Sequence, residues 1–377
     1  MKKKVLFVAT VVKTHIMQFH IPYLKMLKEM GWETAVAARN DYEDPADCVI
    51  PYCDAFYDIP FERTPWKAGN IRSYRMLKKI IDEGEYAVVH CHTPVGASIA
   101  RLAARSARKK GTKVVYTAHG FHFFTGAPLV NWLLFYPAER LLAPMTDVLI
   151  TINKEDYARA QKKLSPRRIE YVPGVGVDTR RFHVDGVDRE EKRRELGFGD
   201  EAFLLLTVAE MTKNKNHATV LRALALLKQE PEFSAMHYLI CGRGDERWSL
   251  EKLTKELGLT EQVHFLGYRS DVPELYQSSD LFVFMPFREG LSLALMEAMS
   301  SGLPTVCSRI RGNTDLIDEN VSGVFAENNP QAVADAILAL RRDPQRRAAL
   351  GQAAREKVGV FDEVPVHARM KEIYESL

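Results

Sequence analysis

Along most of the chain, short apolar runs alternate with longer stretches in which apolar positions recur every three or four residues. The runs at 4–9, 34–38, 55–59, 87–91, 113–117, 148–151 and 169–172 read as strands, and the periodic stretches at 19–30, 71–83 and 97–110 read as helices between them. A second series of runs follows at 203–208, 237–241, 263–266, 281–285, 305–308 and 323–325. Strands joined through helices predict parallel sheets covered on both faces, because each crossover helix buries one face of its sheet. The fold class is α/β, with two doubly wound, Rossmann-like halves and no internal repeat. Residues 178–199 are charged and non-periodic and read as the linker, and a last helical pattern covers 365–376. The divisions drawn from the pattern are 1–180, 181–364 and a closing helix over 365–377.

In such sheets ligands bind beyond the carboxyl ends of the strands, so chemistry is sought in the loops that follow them. The loop after the run 281–285 holds Glu289, and Glu297 follows eight positions later beyond Gly290 and an apolar stretch. Residues 291–299 are helix formers ended by Ser301 and Gly302. If all eight steps were helical, the two carboxylates would be separated by a rise of about 12 Å, roughly the reach of a sugar diphosphate nucleoside. The amides of Gly290, Leu291 and Ser292 at the helix start would favour a diphosphate. One carboxylate would then accept sugar hydroxyls and the other ribose hydroxyls.

Composition narrows the class without naming it. The 377 residues carry 27% charged side chains at a mean hydropathy of −0.21, and the apolar start at 4–9 reads as a buried strand rather than a signal peptide, since no cleavage site follows. The apolar stretch 127–150 is interrupted by Glu139, Arg140 and Asp147 and is not a membrane span. Five scattered cysteines with no paired spacing point to a reducing, cytoplasmic setting. The net charge of +3 hides an asymmetry: residues 1–180 hold 27 Lys and Arg against 18 Asp and Glu. A basic half suits an anionic lipid surface. No zinc-finger spacing, ribonucleoprotein-type aromatic motif or basic arm speaks for nucleic acid. The aromatic segment 121–136 reads either as core packing or, with Arg101, Arg105, Arg108, Lys109 and Lys110, as an interfacial contact.

The motifs together carry a resemblance. The Glu289–Glu297 segment EGLSLALME matches the E-x7-E signature of retaining GT-B glycosyltransferases. With His90 to Pro94, Tyr116 to His122, Tyr171 to Asp178 and Lys213 to His217, the chain resembles glycosyltransferase family 4, nearest the bacterial enzymes of capsule, exopolysaccharide and lipid-linked oligosaccharide assembly. The resemblance implies a GT-B fold: an acceptor-binding first domain, a nucleotide-sugar-binding second domain and a final helix crossing back to the first. It implies that Lys215 meets the diphosphate, with Lys213 as the substitute, and that Glu289 and His119 meet the transferred sugar. By the same resemblance Arg243 meets a phosphate, Tyr268 and Arg269 border the base, and Glu297 holds the ribose. Glu210 stands where the family has an arginine, and Asn216 where it has a glycine. The first loop lacks the family's glycine pair, so Thr14 and His15 are expected to supply side-chain donors instead.

No cofactor or essential metal is expected. The chain contains no Asp-x-Asp motif, and His90-Cys91-His92 alternate across a strand with no further ligand following at metal spacing. The function the resemblance implies is retaining transfer of galactose, N-acetylgalactosamine or a related sugar from a UDP-sugar to a lipid-linked glycan, and the missing Asp-x-Asp motif adds that the transfer is metal-independent. The expected place is the cytoplasmic face of the membrane, against its anionic surface. A UDP-sugar 2-epimerase and a non-catalytic nucleotide-sugar-binding partner are the alternatives.

Overall fold

The computed structural model describes residues 2–62, 64, 67–183 and 188–377. Among them, β1 (Lys4–Val11), β2 (Glu33–Arg39), β3 (Ala55–Asp58), β4 (Val88–Cys91), β5 (Lys113–Ala118), β6 (Val148–Thr151) and β7 (Arg168–Tyr171) form one sheet in the order β3-β2-β1-β4-β5-β6-β7. A second sheet joins β8 (Phe203–Val208), β9 (Met236–Cys241), β10 (Val263–Gly267), β11 (Leu281–Phe284), β12 (Thr305–Ser308) and β13 (Val324–Ala326) in the order β10-β9-β8-β11-β12-β13. Every pairing is parallel. Each apolar run of the sequence became a strand because both faces of each sheet are covered. Leu6 and Val8 of β1 join one core with Leu77, Ile81 and Ala97, while Val5, Phe7 and Ala9 face another with Leu24 and Leu27. In β8 the alternation repeats, with Phe203 and Leu205 against Val220 and Leu224, and Leu204 and Leu206 against Leu295 and Met299.

The chain forms two compact units, Met1–Val175 with Val364–Leu377, and Gly176–Glu363. The last helix, Glu363–Glu375, sets Val366, Met370, Ile373 and Tyr374 in the same core as Val5 and Phe7. Residues just after Val175 are tied to the second unit, since Val177 donates to the Phe361 carbonyl and accepts from the Glu363 amide, each at 3.0 Å. In each sheet the strand order reverses once, between β1 and β4 and between β8 and β11. Loops leaving those strand ends diverge and open a crevice.

Four sequence expectations change. The helix read at 97–110 is two helices, Pro94–Ala103 and Arg105–Arg108, parted at Ala104. The stretch 178–199 is not only linker: it contains the helix Arg189–Glu195, capped by Asp188. That helix has no apolar stripe because it buries Lys192 and Arg193, which pair with Asp271 and with Asp280 and the Ser278 carbonyl. Residues 184–187 of that stretch lie outside the described ones. The helix read at 19–30 is two helices, Met17–Phe19 and Ile21–Glu29, parted at His20 just before Pro22. The helix after Glu289 starts only at Leu293, with Ser292 as its cap, so half of the eight steps to Glu297 are not helical and the 12 Å rise does not apply.

Candidate active site

In the second unit the reversal of strand order brings together the loops after β8 and β11. The first turns through Lys213–Lys215 and ends at Asn216 with φ of +56°, a left-handed conformation that asparagine tolerates. Asn216 donates to the Met285 carbonyl at 3.0 Å, Asn214 donates to the Arg288 carbonyl at 3.0 Å, and the Phe287 amide donates back to Asn214 at 2.9 Å. These bonds fasten one loop to the other. Their outcome is that Lys215 Nζ donates to Glu289 Oε1 at 2.5 Å, while the ammonium lies 5.1 Å over the Phe284 ring. Lys215 and Glu289, 74 positions apart, thus form one partly buried ion pair.

The turn that follows is held from behind. Arg311 Nε donates to the Glu289 carbonyl at 3.1 Å, and Gly312, at φ +84°, passes so close that a Cβ there would lie 2.4 Å from the Gly290 carbonyl oxygen. Neither residue stood out in the sequence, because the contact depends on β12 lying beside β11. Ser292 caps the helix Leu293–Ser300, its Oγ accepting from the Leu295 amide, and the amides of Gly290, Leu291 and Ser292 donate to no other described residue. A turn of free amides beside a lysine is suited to an anion. One helical turn on, Glu297 is mostly buried and accepts from Tyr276 OH at 3.0 Å; burial raises its carboxyl above the ordinary range.

The other expected nucleotide contacts divide. The Arg243 guanidinium lies 5.7 Å from the exposed Tyr268 ring, and the loop carrying it runs alongside 209–211 through Met211 N to Arg243 O at 2.8 Å. Lys213 and the Glu210 side chain are exposed. Arg269, by contrast, is held in ion pairs with Asp271 and Glu195, the same acidic pair that holds Lys192, and is thereby fixed to the helix Arg189–Glu195.

In the first unit, the corresponding crevice is lined by histidines. His15 sits in a π-helical turn, Val12–Ile16, after β1; His20 ends the next turn; His92 follows β4; His119 follows β5. By sequence pattern His92 reads as a strand end leading into the acceptor side, and no motif singles out His20. The four rings interlock, with centroids 3.8 Å apart for His20 and His92 and 4.9 Å apart for His15 and His119. His119 Nε2 and His92 Nδ1 are 3.4 Å apart. Burial lowers the basicity of all four, with the neighbouring rings adding to it for His15, His20 and His92, and takes His119 down to about 4. His90 is different: its two ring nitrogens bond Tyr374 OH at 2.5 Å and Thr117 Oγ1 at 2.8 Å, so it is a satisfied core residue, lowered to about 3 by burial. Thr93, just after His92, holds φ at +61°, which costs a β-branched residue strain. Its Oγ1 accepts from the Thr10 amide at 3.2 Å, tying the ends of β4 and β1 together. Thr14 and His15 border a cavity of ≈ 290 Å³ with Thr93, His122 and Phe135. Thr14 and the Lys13 amide turn toward Asp41.

The aromatic segment packs on the core, and the helix that carries part of it leaves an aliphatic face open. Phe121 and Phe123 are buried, and Trp132, Phe135 and Tyr136 of the helix Leu129–Leu142 pack against the same core. Leu129, Val130, Leu133, Leu134 and Leu141 of that helix are exposed. Of the basic run, Arg101 is not available at the surface: it is 1% exposed and bidentate to Glu139 at 2.7 and 3.0 Å. Arg108 pairs with Asp147. No helix among the described residues is long and apolar enough to cross a membrane.

Two doubly wound units, each a parallel sheet with a single strand-order reversal, form the architecture of a GT-B glycosyltransferase. Comparison with known proteins agrees. Residues 23–181 match the model of Glycosyltransferase Family 4, and residues 188–357 match that of Glycosyl transferases group 1. A Bacillus subtilis protein named glycosyltransferase EpsD is 41% identical over 377 residues, covering 99% of this chain and 97% of its own. The Escherichia coli UDP-Gal:alpha-D-GlcNAc-diphosphoundecaprenol alpha-1,3-galactosyltransferase is 29% identical over 69% of this chain and 67% of its own. The solved structure of Anabaena Alr3699/HepE in complex with UDP and glucose superposes with a TM-score of 0.80 at 19% identity, covering 100% of both chains. The chain belongs to glycosyltransferase family 4 and is a GT-B glycosyltransferase.

Proposed function

We propose that this enzyme transfers a hexosyl residue, galactose, N-acetylgalactosamine or a relative, from a UDP-sugar to a polyprenyl-diphosphate-linked glycan with retention of configuration. The product belongs to capsule, exopolysaccharide or a related surface glycan. The observation that carries the reading is the Lys215–Glu289 pair beside the free amides of Gly290 to Ser292. Without ligand the two charges satisfy each other. A bound diphosphate draws Lys215 Nζ to itself, with the turn amides and Arg243 adding positive potential, and frees Glu289 to accept the sugar's hydroxyls. Glu297 accepts the ribose hydroxyls, and Tyr268 borders the base. His119, an uncharged imidazole, hydrogen-bonds the transferred sugar, while Thr14 and His15 line the acceptor side of their own unit.

In the transfer step the acceptor oxygen bonds to the anomeric carbon on the face from which the diphosphate oxygen departs. The departing diphosphate takes the acceptor's proton. Lys215 and the turn amides stabilise the charge that develops on it, where fixed donors in a dry site are most effective. With Glu289 and Glu297 read as hydroxyl acceptors, no sequence motif here suggests the far-face nucleophile that a double-displacement retaining mechanism needs. The relatives support the donor and acceptor classes: one is named for UDP-Gal and a diphosphoundecaprenol acceptor, and another was solved with UDP and glucose. The exposed leucines of Leu129–Leu142 support contact with a lipid surface, since an apolar helix face rarely stays open to water.

The test is transfer from α-linked UDP-galactose and UDP-N-acetylgalactosamine to a polyprenyl-diphosphate N-acetylhexosamine, with the product's anomeric coupling read by proton NMR. An α-linked product is expected. A β-linked product would overturn retention, and an isomerised sugar released with UDP in the absence of acceptor would assign the chain to the 2-epimerases.

A further inference from the structure

The four histidines at the first strand-order reversal are more than the sugar contact needs. His15, His20, His92 and His119 come from three separate loops, and one ring nitrogen of each lies within 4.8 Å of those of the other three. His20 and His92 are about 1% exposed. Both ring nitrogens of His20, Nε2 of His92 and Nε2 of His15 are buried without a hydrogen-bond partner. Burying an unpaired polar nitrogen costs roughly 1–3 kcal/mol, and native proteins normally satisfy such groups. Here several are gathered at one point, which is the arrangement expected where something absent from the coordinates completes them.

We propose that His15, His20, His92 and His119 bind one divalent d-block cation of the zinc class at the carboxyl ends of β1, β4 and β5. The donor set selects the metal class. Imidazole nitrogen suits zinc, copper, nickel and cobalt, whereas calcium and magnesium require oxygen ligands, and no carboxylate belongs to this group. The spacing suits it as well. Four nitrogens about 2.0–2.1 Å from a tetrahedral ion stand roughly 3.3 Å from one another. His119 Nε2 and His92 Nδ1 already stand 3.4 Å apart, and the other ring nitrogens of the group lie within 4.8 Å. His90, whose nitrogens are both bonded, stays outside the set.

Among the described residues, no carboxylate or carbonyl backs His20, neither of whose ring nitrogens has a partner. Such partners raise affinity by roughly 10–100-fold, so the ion is expected to exchange with chelators rather than survive them. Coordination through His119 Nε2 leaves Nδ1–H as a donor for a sugar hydroxyl, so the ion would fix the tautomer that the proposed transfer uses. The site is therefore a positioning device for His119, and its existence is judged by metal binding, separately from the transfer reading.

The experiment titrates the chelator-treated full chain, with any affinity tag removed, with Zn²⁺ by calorimetry and with Co²⁺ by visible absorption. One saturable equivalent and intense tetrahedral cobalt bands are expected. Both should weaken on the order of tenfold or more in His20→Ala and His92→Ala, and remain in His264→Ala, which alters a histidine of the other unit. His20→Phe keeps the ring stacking and removes only the nitrogens, so it separates ligation from packing if the alanine variant does not fold. No saturable uptake, only weak octahedral cobalt bands, or uptake unchanged in His20→Phe would overturn the proposal and show that water alone satisfies these rings.

Discussion

The two strand-order reversals are built alike and filled in opposite ways. Between β8 and β11 the crevice holds a lysine and a glutamate paired at 2.5 Å next to free amides. Between β1 and β4 it holds imidazoles whose basicity burial lowers, in a group of described residues that includes no carboxylate. The topology supplies the place in both cases, and the side chains decide the chemistry. A charged pair can be opened by a charged ligand, because Lys215 exchanges one anion for another. A cluster of neutral donors waits for a cation or for hydroxyls.

The comparison breaks most sharply on the charged side. Lys215→Ala and Glu289→Ala should each lower kcat/KM by about 10²-fold or more, the scale of one lost contact to developing charge. Glu297→Ala should act mainly on nucleotide affinity and leave kcat closer to its original value. Steady-state kinetics with defined donor and acceptor checks this, with thermal melts to separate loss of fold. Rates near wild type for the first two variants would detach the chemistry from this crevice.

On the neutral side the expected effect is on stability. A histidine whose folded pKa is depressed takes up its proton first in the unfolded chain. Stability therefore falls as pH drops below about 6.5, by up to about 1.4 kcal/mol per pH unit for each such ring, until the folded pKa is reached. Among the described residues the first unit holds five such histidines, with His119 at about 4 and His90 at about 3, whereas in the second His217 alone is comparably buried, also at about 4. Hydrogen exchange followed by mass spectrometry, without added divalent ions, should show β1 and β4 losing protection on acidification before β8 and β11. The reverse order would mean that the rings are hydrated rather than dry.

The smallest effect concerns chelation. With Lys215 and amides carrying the diphosphate charge, EDTA should slow transfer only a few-fold. If activity is abolished and restored by Mg²⁺ or Mn²⁺, an oxygen-ligated ion sits on the diphosphate and the reading of the second crevice fails. Restoration by Zn²⁺ alone would trace the effect to the histidines.

The E-x7-E segment was legible because its chemistry is local: strand, glycine turn, capped helix and carboxylate lie within one continuous stretch. Lys215 was legible as a residue, but its partner was not, since the pair closes only when β8 and β11 lie side by side. Arg269 shows the opposite outcome. Its sequence neighbourhood resembled a base-binding loop, yet Asp271 and Glu195 hold it, because the helix Arg189–Glu195 came from a stretch with no apolar periodicity to announce it. The aromatic segment follows its core reading, and the open face of its helix is aliphatic, since a helix has two faces and composition does not say which one meets the core.

What the sequence by itself determined is whatever a period or a short motif can encode. Thirteen apolar runs, each short and flanked by turn or helix signals, could only be strands buried on both sides, and their succession dictated two parallel sheets. What only the tertiary structure decided is which distant side chains share a crevice. His92 looked like a strand end because ligand spacing was sought along the chain, where none exists. The imidazoles beside it arrive from β1 and β5, in loops that parallel crossovers bring to one edge of the sheet, and that convergence belongs to the strand order and not to any local pattern.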